Sequence, residues 1–420
     1  MLNAFQRVCA AAFALDFAVL LVGTALPFFV FNRVGGGAAM SGTFGALQAA
    51  SYAAVCLASL RFITKSQNGM HVAAWGVAFF TVLHAALPFF RNAYVCAAIA
   101  TAGNGALALV WPALHSWVGA EPDPRVRARR MTWLNMSWSL GFAISPLFAG
   151  PLYDYDYRLP FLGAVVMNGL TITLILSLPH ESRFFAPLTD AMCEARAGHD
   201  RASEVFLHAS WCATIMANAM AGVLRSVYPK RVDALVAQGQ LRLLFERHAP
   251  AFLTVDAATR FSWIASALAF TTALCFLLMG RSAWWQHRRG LLFGMQATAA
   301  IAFALLGHTR SLVVMAVCFV IVGANYGFCF FSSAYYSIAN PLHKHGRAAI
   351  NEGAVGTGVF AGSLIVGHLV ERFGMAAPFH WTPLVVAAML VVQAHLLNRS
   401  ERRRRPPAPS VATPAPTPVE

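Results

Sequence analysis

Residues 130–154 read RMTWLNMSWSLGFAISPLFAGPLYD, running from Arg130 to Asp154 without a charge between. The stretch is long enough, at about 1.5 Å rise per residue, to cross about 30 Å of hydrocarbon. It carries Asn135, Pro146 and the small residues Ser139, Gly141, Ser145, Ala149 and Gly150. A fainter copy returns later in the chain. At one fixed offset Arg130 falls on Arg347, Asn135 on Glu352, Gly141 on Gly358, Gly150 on Gly367, Leu152 on Leu369 and Asp154 on Glu371. The offset is close to half the chain length, where a duplicated membrane bundle repeats. The spacing predicts two related halves.

Composition points the same way. Of 420 residues 58% are hydrophobic and 11% charged, against roughly 45–50% and 25% in soluble domains. Too little polar surface exists to wrap that apolar mass in water, so part of its solvent is lipid. The net charge of +14 does not mark a nucleic-acid binder, because the basic residues sit between apolar runs and form no continuous face. The eight cysteines contain no CxxC pair and read as small buried apolar residues, neither a disulfide framework nor a metal motif. The apolar run 9–31 is expected to be a retained first helix, since it lacks a small-x-small cleavage site.

Hydropathy predicts an all-α membrane protein with twelve spans, at 9–31, 42–62, 70–90, 94–117, 131–152, 159–178, 206–229, 259–280, 291–308, 312–335, 348–370 and 379–397. Helices are expected because a spanning segment must satisfy its own backbone hydrogen bonds. Residues 1–178 form an N-terminal six-helix bundle, 179–205 a linker, 206–397 a C-terminal six-helix bundle and 398–420 a basic, proline-rich tail. With both termini inside, 20 of the 31 basic residues lie on the cytoplasmic side, among them Arg61, Arg129, Arg130, Arg281 and Arg347. The expected location is a cell membrane, the inner membrane in a Gram-negative source. The segment 230–258 is expected to lie on the outer membrane face or to cap the bundle.

Ionisable groups inside a span should face protein or water. Asp16 and Glu352 are therefore the candidates for a proton or cation site. For Asp16 the alternatives are a structural role or a place near the inner interface, and for Glu352 an ion pair with Arg347 or Lys344. Asn104, Ala108, Trp111 and His115 share one helical stripe, and Asn325, Cys329, Ser332 and Tyr336 share another with the same spacing. Two such stripes look like opposite walls of a cavity, although interhelical hydrogen bonding explains either alone. Trp211, Asn218, Gly222 and Arg225 share a third face. Arg225 either snorkels or turns inward, where it would attract an anion or pair with a carboxylate. The small residues Ser139, Gly141 and Gly150, with Pro146 and Asn135, and the echo Gly356, Gly358 and Gly362, are expected to pack helices closely and to form a gate. Walker, Rossmann and HExxH motifs are absent, so neither an enzyme nor an ATP-driven pump is expected and no cofactor is required.

Twelve spans in two related halves resemble the major facilitator superfamily over about 5–397. That resemblance implies a six-plus-six fold around a central cavity open alternately to each side, lined by the first, fourth, seventh and tenth helices. On this sequence it favours Asp16, Asn104, His115, Asn218 and Asn325. The family's Gly-x-x-x-Asp-Arg-x-Gly signature is degenerate here. SLRFITKSQNG keeps Arg61 and Lys65 without the acid, GRSAWWQHRRG keeps Gly280 and Arg281, and the better fit at Gly367, Glu371, Arg372 and Gly374 falls on the expected outer side. The expected activity is secondary transport by a monomer in contact with membrane lipids, of a small organic or amphipathic solute because aromatics abound, and coupled to protons because of Asp16 and Glu352. The alternatives are an uncoupled facilitator, or a transporter-shaped sensor or assembly partner.

Overall fold

The computed structural model describes residues 2–62, 69–119, 121, 124–178, 201–243, 256–338 and 344–402. Most of the expected linker, the tail beyond 402, residues 244–255 of the expected cap and the Arg61 side chain lie outside the described residues.

Fourteen α-helices are described: α1 Ala4–Phe29, α2 Ala38–Phe62, α3 Gly69–Ala86, α4 Ala93–Leu107, α5 Val110–Gly119, α6 Pro124–Tyr155 and α7 Leu159–Leu176, then α8 Arg201–Ser226, α9 Tyr228–Ala237, α10 Ala257–Arg281, α11 Arg289–Leu306, α12 Leu312–Ile338, α13 Lys344–Phe373 and α14 Ala377–Arg402. Local sequence sets several ends. Asn3 and Gln6 cap each other reciprocally at the start of α1, and Asn92 accepts from the Tyr94 and Val95 amides to start α4. Such caps satisfy amides that have no partner within the helix. Beyond Pro27, α1 loosens into a π turn over Val30–Val34, stopped by Gly35 at φ 76°.

With α4–α5 and α8–α9 counted as one crossing each, every expected span has its helix. Ten are long and apolar enough to cross a membrane among the described residues. The remaining two, α2 and α6, are as long but richer in Ser, Thr, Gln, Asn and Arg. The expected continuous stripe from Asn104 to His115 is corrected: the helix breaks at Ala108 and Leu109, whose amides bond back only three residues, to Gly105 and Ala106.

Call the level of the α1 start the near face. There Arg7 donates to the Ser177 carbonyl at 2.6 Å, Arg289 to Asn398 at 3.0 Å, and the Arg130 guanidinium lies over Phe5. Arg130 also pairs with Glu121 at 2.6 Å, while Arg129 and Arg281 are exposed. Arg347 binds Glu204 through both nitrogens, at 2.6 and 3.0 Å. Of the two partners offered for Glu352 as an edge ion pair, Arg347 is thereby turned to α8, and the Lys344 side chain lies outside the described residues.

The quoted stretch is α6, and its echo is α13. These two helices stitch the chain together in matching ways. A Cβ at Gly141 would run into the Phe13 carbonyl of α1, and one at Gly358 into the Ile215 carbonyl of α8. One at Gly150 would meet Ala258 and Thr259 of α10, and one at Gly367 would meet Ala38 and Ala39 of α2. Ser145 adds a hydrogen bond to the Phe17 carbonyl at 2.6 Å. Gly362 is pressed on the Ala219 backbone and Gly356 on Ala53. Small side chains let backbones approach this closely, and in lipid such packing replaces the hydrophobic drive. The large exposed apolar groups lie on the periphery, at Trp75 of α3, Val166 of α7, Ile301 of α11 and Val391 of α14.

Candidate functional site

Between these helices lies a chamber of about 220 Å³, walled by α1, α2, α3, α4 and α6 from one half of the chain and by α8, α10, α12 and α13 from the other. Its walls are mostly apolar, with Phe80, Phe142, Phe261 and Phe319 as flat surfaces. Convergent polar groups interrupt them: Thr24, Gln48, His84, Asn104 and Arg225. Asn104 donates to the Gln48 carbonyl at 3.0 Å, and His84 Nδ1 lies 3.0 Å from the Phe80 carbonyl. Above them Ser41 donates to the Ser226 carbonyl at 2.8 Å and Ser226 to Ser363 at 2.9 Å, a chain that crosses from α2 to α8 and α13.

Arg225 turns inward. Its guanidinium carbon sits 5.1 Å from the Phe142 ring centre, and its charge acts on Tyr326. Toward the near face a cluster of ionisable side chains adjoins it. Asp16 acts electrostatically on Arg225, and both Asp16 and Glu352 act on Tyr52 and Tyr326. The two acids chosen from sequence are thus brought to one cluster, Asp16 from α1 and Glu352 from α13, although neither lines the chamber itself.

The other expected positions divide. Asn104 and Pro146 line the chamber. The break after α4 takes Trp111 and His115 out of its wall. Their rings lie 5.8 Å apart, and Trp111 meets Trp138 at 6.1 Å in a layer that continues to Phe276 and Phe330. Asn135 Oδ1 accepts from the Trp138 indole at 3.1 Å in the same layer. Asn325 is buried and accepts from Cys329. Tyr336 accepts from the His287 amide at 2.9 Å and stacks on Phe206, away from the chamber. Asn218 donates to the Thr214 carbonyl and packs beside Gly358. Ser139 is buried within α6. The expectation that the two stripes form opposite walls is therefore corrected: of those named for them, only Asn104 reaches the cavity. Gln48, Phe142, Tyr52 and Tyr326 belong to the site and carried no sequence signal, since lone polar or aromatic residues in apolar runs are common.

At the far face two carboxylates bridge the two halves of the chain. Asp154, beyond the α6 span, accepts from the Thr259 amide at 2.9 Å and the Thr259 hydroxyl at 2.5 Å, in the first turn of α10. Asp256, at the N-cap position of α10, makes no capping bond of its own. Glu371, the counterpart of Asp154 in the repeat, accepts from the Ala39 amide in the first turn of α2 at 2.9 Å. Each acid thus supplies an amide cap to a helix from the other half of the chain. Burial pushes the Asp154 carboxyl above the usual carboxylate range, against the two Thr259 bonds that pull it down. Just below, Phe28 packs on Tyr153 and Phe261. Among the described residues no group of three or more His, Cys, Asp or Glu is placed to hold a metal.

No protein-family model matches the chain. A search of curated protein sequences likewise finds no match. Solved structures do match. The nucleoside transporter NupG superposes with a TM-score of 0.71 at 12% identity, covering 96% of this chain and 100% of that one. A point-mutant form of NupG gives 0.65 at 12% identity, over 95% and 100%. At that identity the likeness concerns architecture: this chain has the all-α, multi-spanning fold of a solved membrane transporter over nearly its whole length.

Proposed function

We propose that this chain is a secondary active transporter of the major facilitator type, moving a small organic or amphipathic solute by alternating access between two six-helix bundles. The observation that carries the reading is the chamber shared by helices from both halves, with polar groups converging in an aromatic wall and Asp154 and Glu371 bridging the halves at the far face. Ligand sites are concave and mostly apolar, with few placed polar groups, and this one sits where rocking of one half against the other would expose it to either face. The basic near face, with Arg7, Arg129, Arg130 and Arg281, is the cytoplasmic one under the positive-inside rule.

Proton coupling belongs to Asp16 and Glu352, because ionisable side chains inside a membrane protein mark ion pathways. The experiment is solute-dependent proton flux in reconstituted vesicles. Coupling predicts flux in the wild type that is lost in D16N or E352Q. Uptake without proton movement in all three would replace coupling by facilitated diffusion.

A further inference from the structure

The chamber has a pronounced charge asymmetry. Arg225 is half-buried in its wall, and no Asp, Glu or Lys lines it. Among the described residues no carboxylate lies within ion-pair distance of Arg225. Its guanidinium carries five N–H donors, and its charge acts on Tyr326. A guanidinium held in an apolar, membrane-embedded wall is costly unless an anion answers it. Asp16 answers it only at longer range, from the cluster below.

The surfaces around it are flat. The guanidinium lies over Phe142, and Phe80, Phe261 and Phe319 complete the wall. Arg presents a planar fork that matches a carboxylate in two parallel bonds. We infer that Arg225 receives the carboxylate of a small organic anion with a flat apolar body, and that Asp16 is the internal counter-charge which this anion replaces. This inference rests on the transporter reading for its purpose, but the site itself is a binding statement.

The replacement links the anion to a proton. While Asp16 is ionised it satisfies the field of Arg225 and repels an arriving carboxylate; a proton on Asp16 removes both effects. The other groups at that level are Tyr52 and Cys56 on α2, Tyr326 on α12 and Glu352 on α13. Within their spans the neighbouring α6 and α7 bring no acidic or basic side chain, and His115 of α5 faces Trp111. Glu352 adds a second negative charge, so its ionisation acts in the same direction as that of Asp16.

The test is equilibrium binding to the purified full-length protein in detergent, using benzoate against benzamide and phenylacetate against phenylacetamide. The wild type should bind each acid at least tenfold more tightly than its amide, and the acid should bind more weakly as pH rises. R225Q should lose at least tenfold for the acids while leaving the amides unchanged, with R225K intermediate and serving as the folded control. D16N should flatten the pH dependence. Equal binding of acid and amide, binding of neither, or an R225Q indistinguishable from wild type would overturn the anion site. Proteoliposome uptake separates the two readings. Acids that bind but are not carried would leave the anion site standing and end the transporter reading. Phenylacetamide carried as fast as phenylacetate, and unaltered in R225Q, would do the reverse.

Discussion

Removing the Asp154 carboxylate should open the far face. In the closed arrangement Asp154 satisfies the Thr259 amide and hydroxyl at 2.9 and 2.5 Å, and α10 has no side-chain cap of its own. Loss of such a cap costs about 0.5–2 kcal/mol, and leaving a part-buried donor unsatisfied about 1–3. Once the halves separate, water replaces the lost acceptor, so the D154A penalty falls on the closed state alone. A shift of about 1–2 kcal/mol moves the open-to-closed ratio by roughly five- to thirtyfold. Glu371 is exposed, so E371A should fall at the lower end of that range. The reporter is a cysteine at Gly23, which lines the chamber and has open space around its Cβ direction. In a background with native cysteines replaced, its labelling rate by a membrane-impermeant thiol reagent from the far side reads the open population. D154A should speed labelling by that factor, and D154N less, because an amide oxygen still accepts. Unchanged labelling in both D154A and the double variant with E371A would refute the latch.

Four further outcomes follow from the geometry. The Asp154 carboxyl is raised by burial when closed and returns toward its ordinary value when hydrated, so the closed state binds the proton more tightly. Compared with D154N at the same pH, which cancels the loss of thiolate common to both, far-side labelling of G23C should therefore slow further as pH falls through the raised pKa, and identical pH profiles in the two would contradict it. Gln296 and Gln393 exchange two buried hydrogen bonds at 2.9 and 2.8 Å between α11 and α14; Q296L should cost about 1–2 kcal/mol of thermal stability, and the double Leu variant should recover most of it. Gly362→Ala pushes a methyl into the Ala219 backbone and should cost about 1–3 kcal/mol, whereas Gly169→Ala meets open space and should be neutral in the same melting assay. R347Q breaks the two-bond pair with Glu204 at the near face and should lower the melting temperature by an amount matching about 1–3 kcal/mol.

What the sequence made legible was the backbone logic of the membrane. The offset matches between Gly141 and Gly358, Gly150 and Gly367, and Asp154 and Glu371 reappear as equivalent contacts, because a glycine that must touch another backbone, or an acid that must cap another helix, leaves a mark at one position. The site was harder to read. Asn104, Trp111 and His115 obey a helical period that the chain does not keep, since the turn at Ala108 and Leu109 rotates everything after it. Arg225 was ambiguous between snorkelling and facing inward because its direction depends on the partner bundle, which periodicity does not encode. Gln48, Tyr52 and Tyr326 gain their role only from helices distant in sequence.

The central claim is that α6 and α10 rock about the chamber, so that their two ends never part together. Spin labels at Asp156 and Asp256 report the far ends and labels at Arg129 and Arg281 the near ends, all four positions being exposed. Distance distributions from the two pairs, with and without phenylacetate, should shift in opposite directions, the far pair lengthening as the near pair shortens or the converse. Distributions that stay fixed at both ends, or lengthen together, would contradict the account.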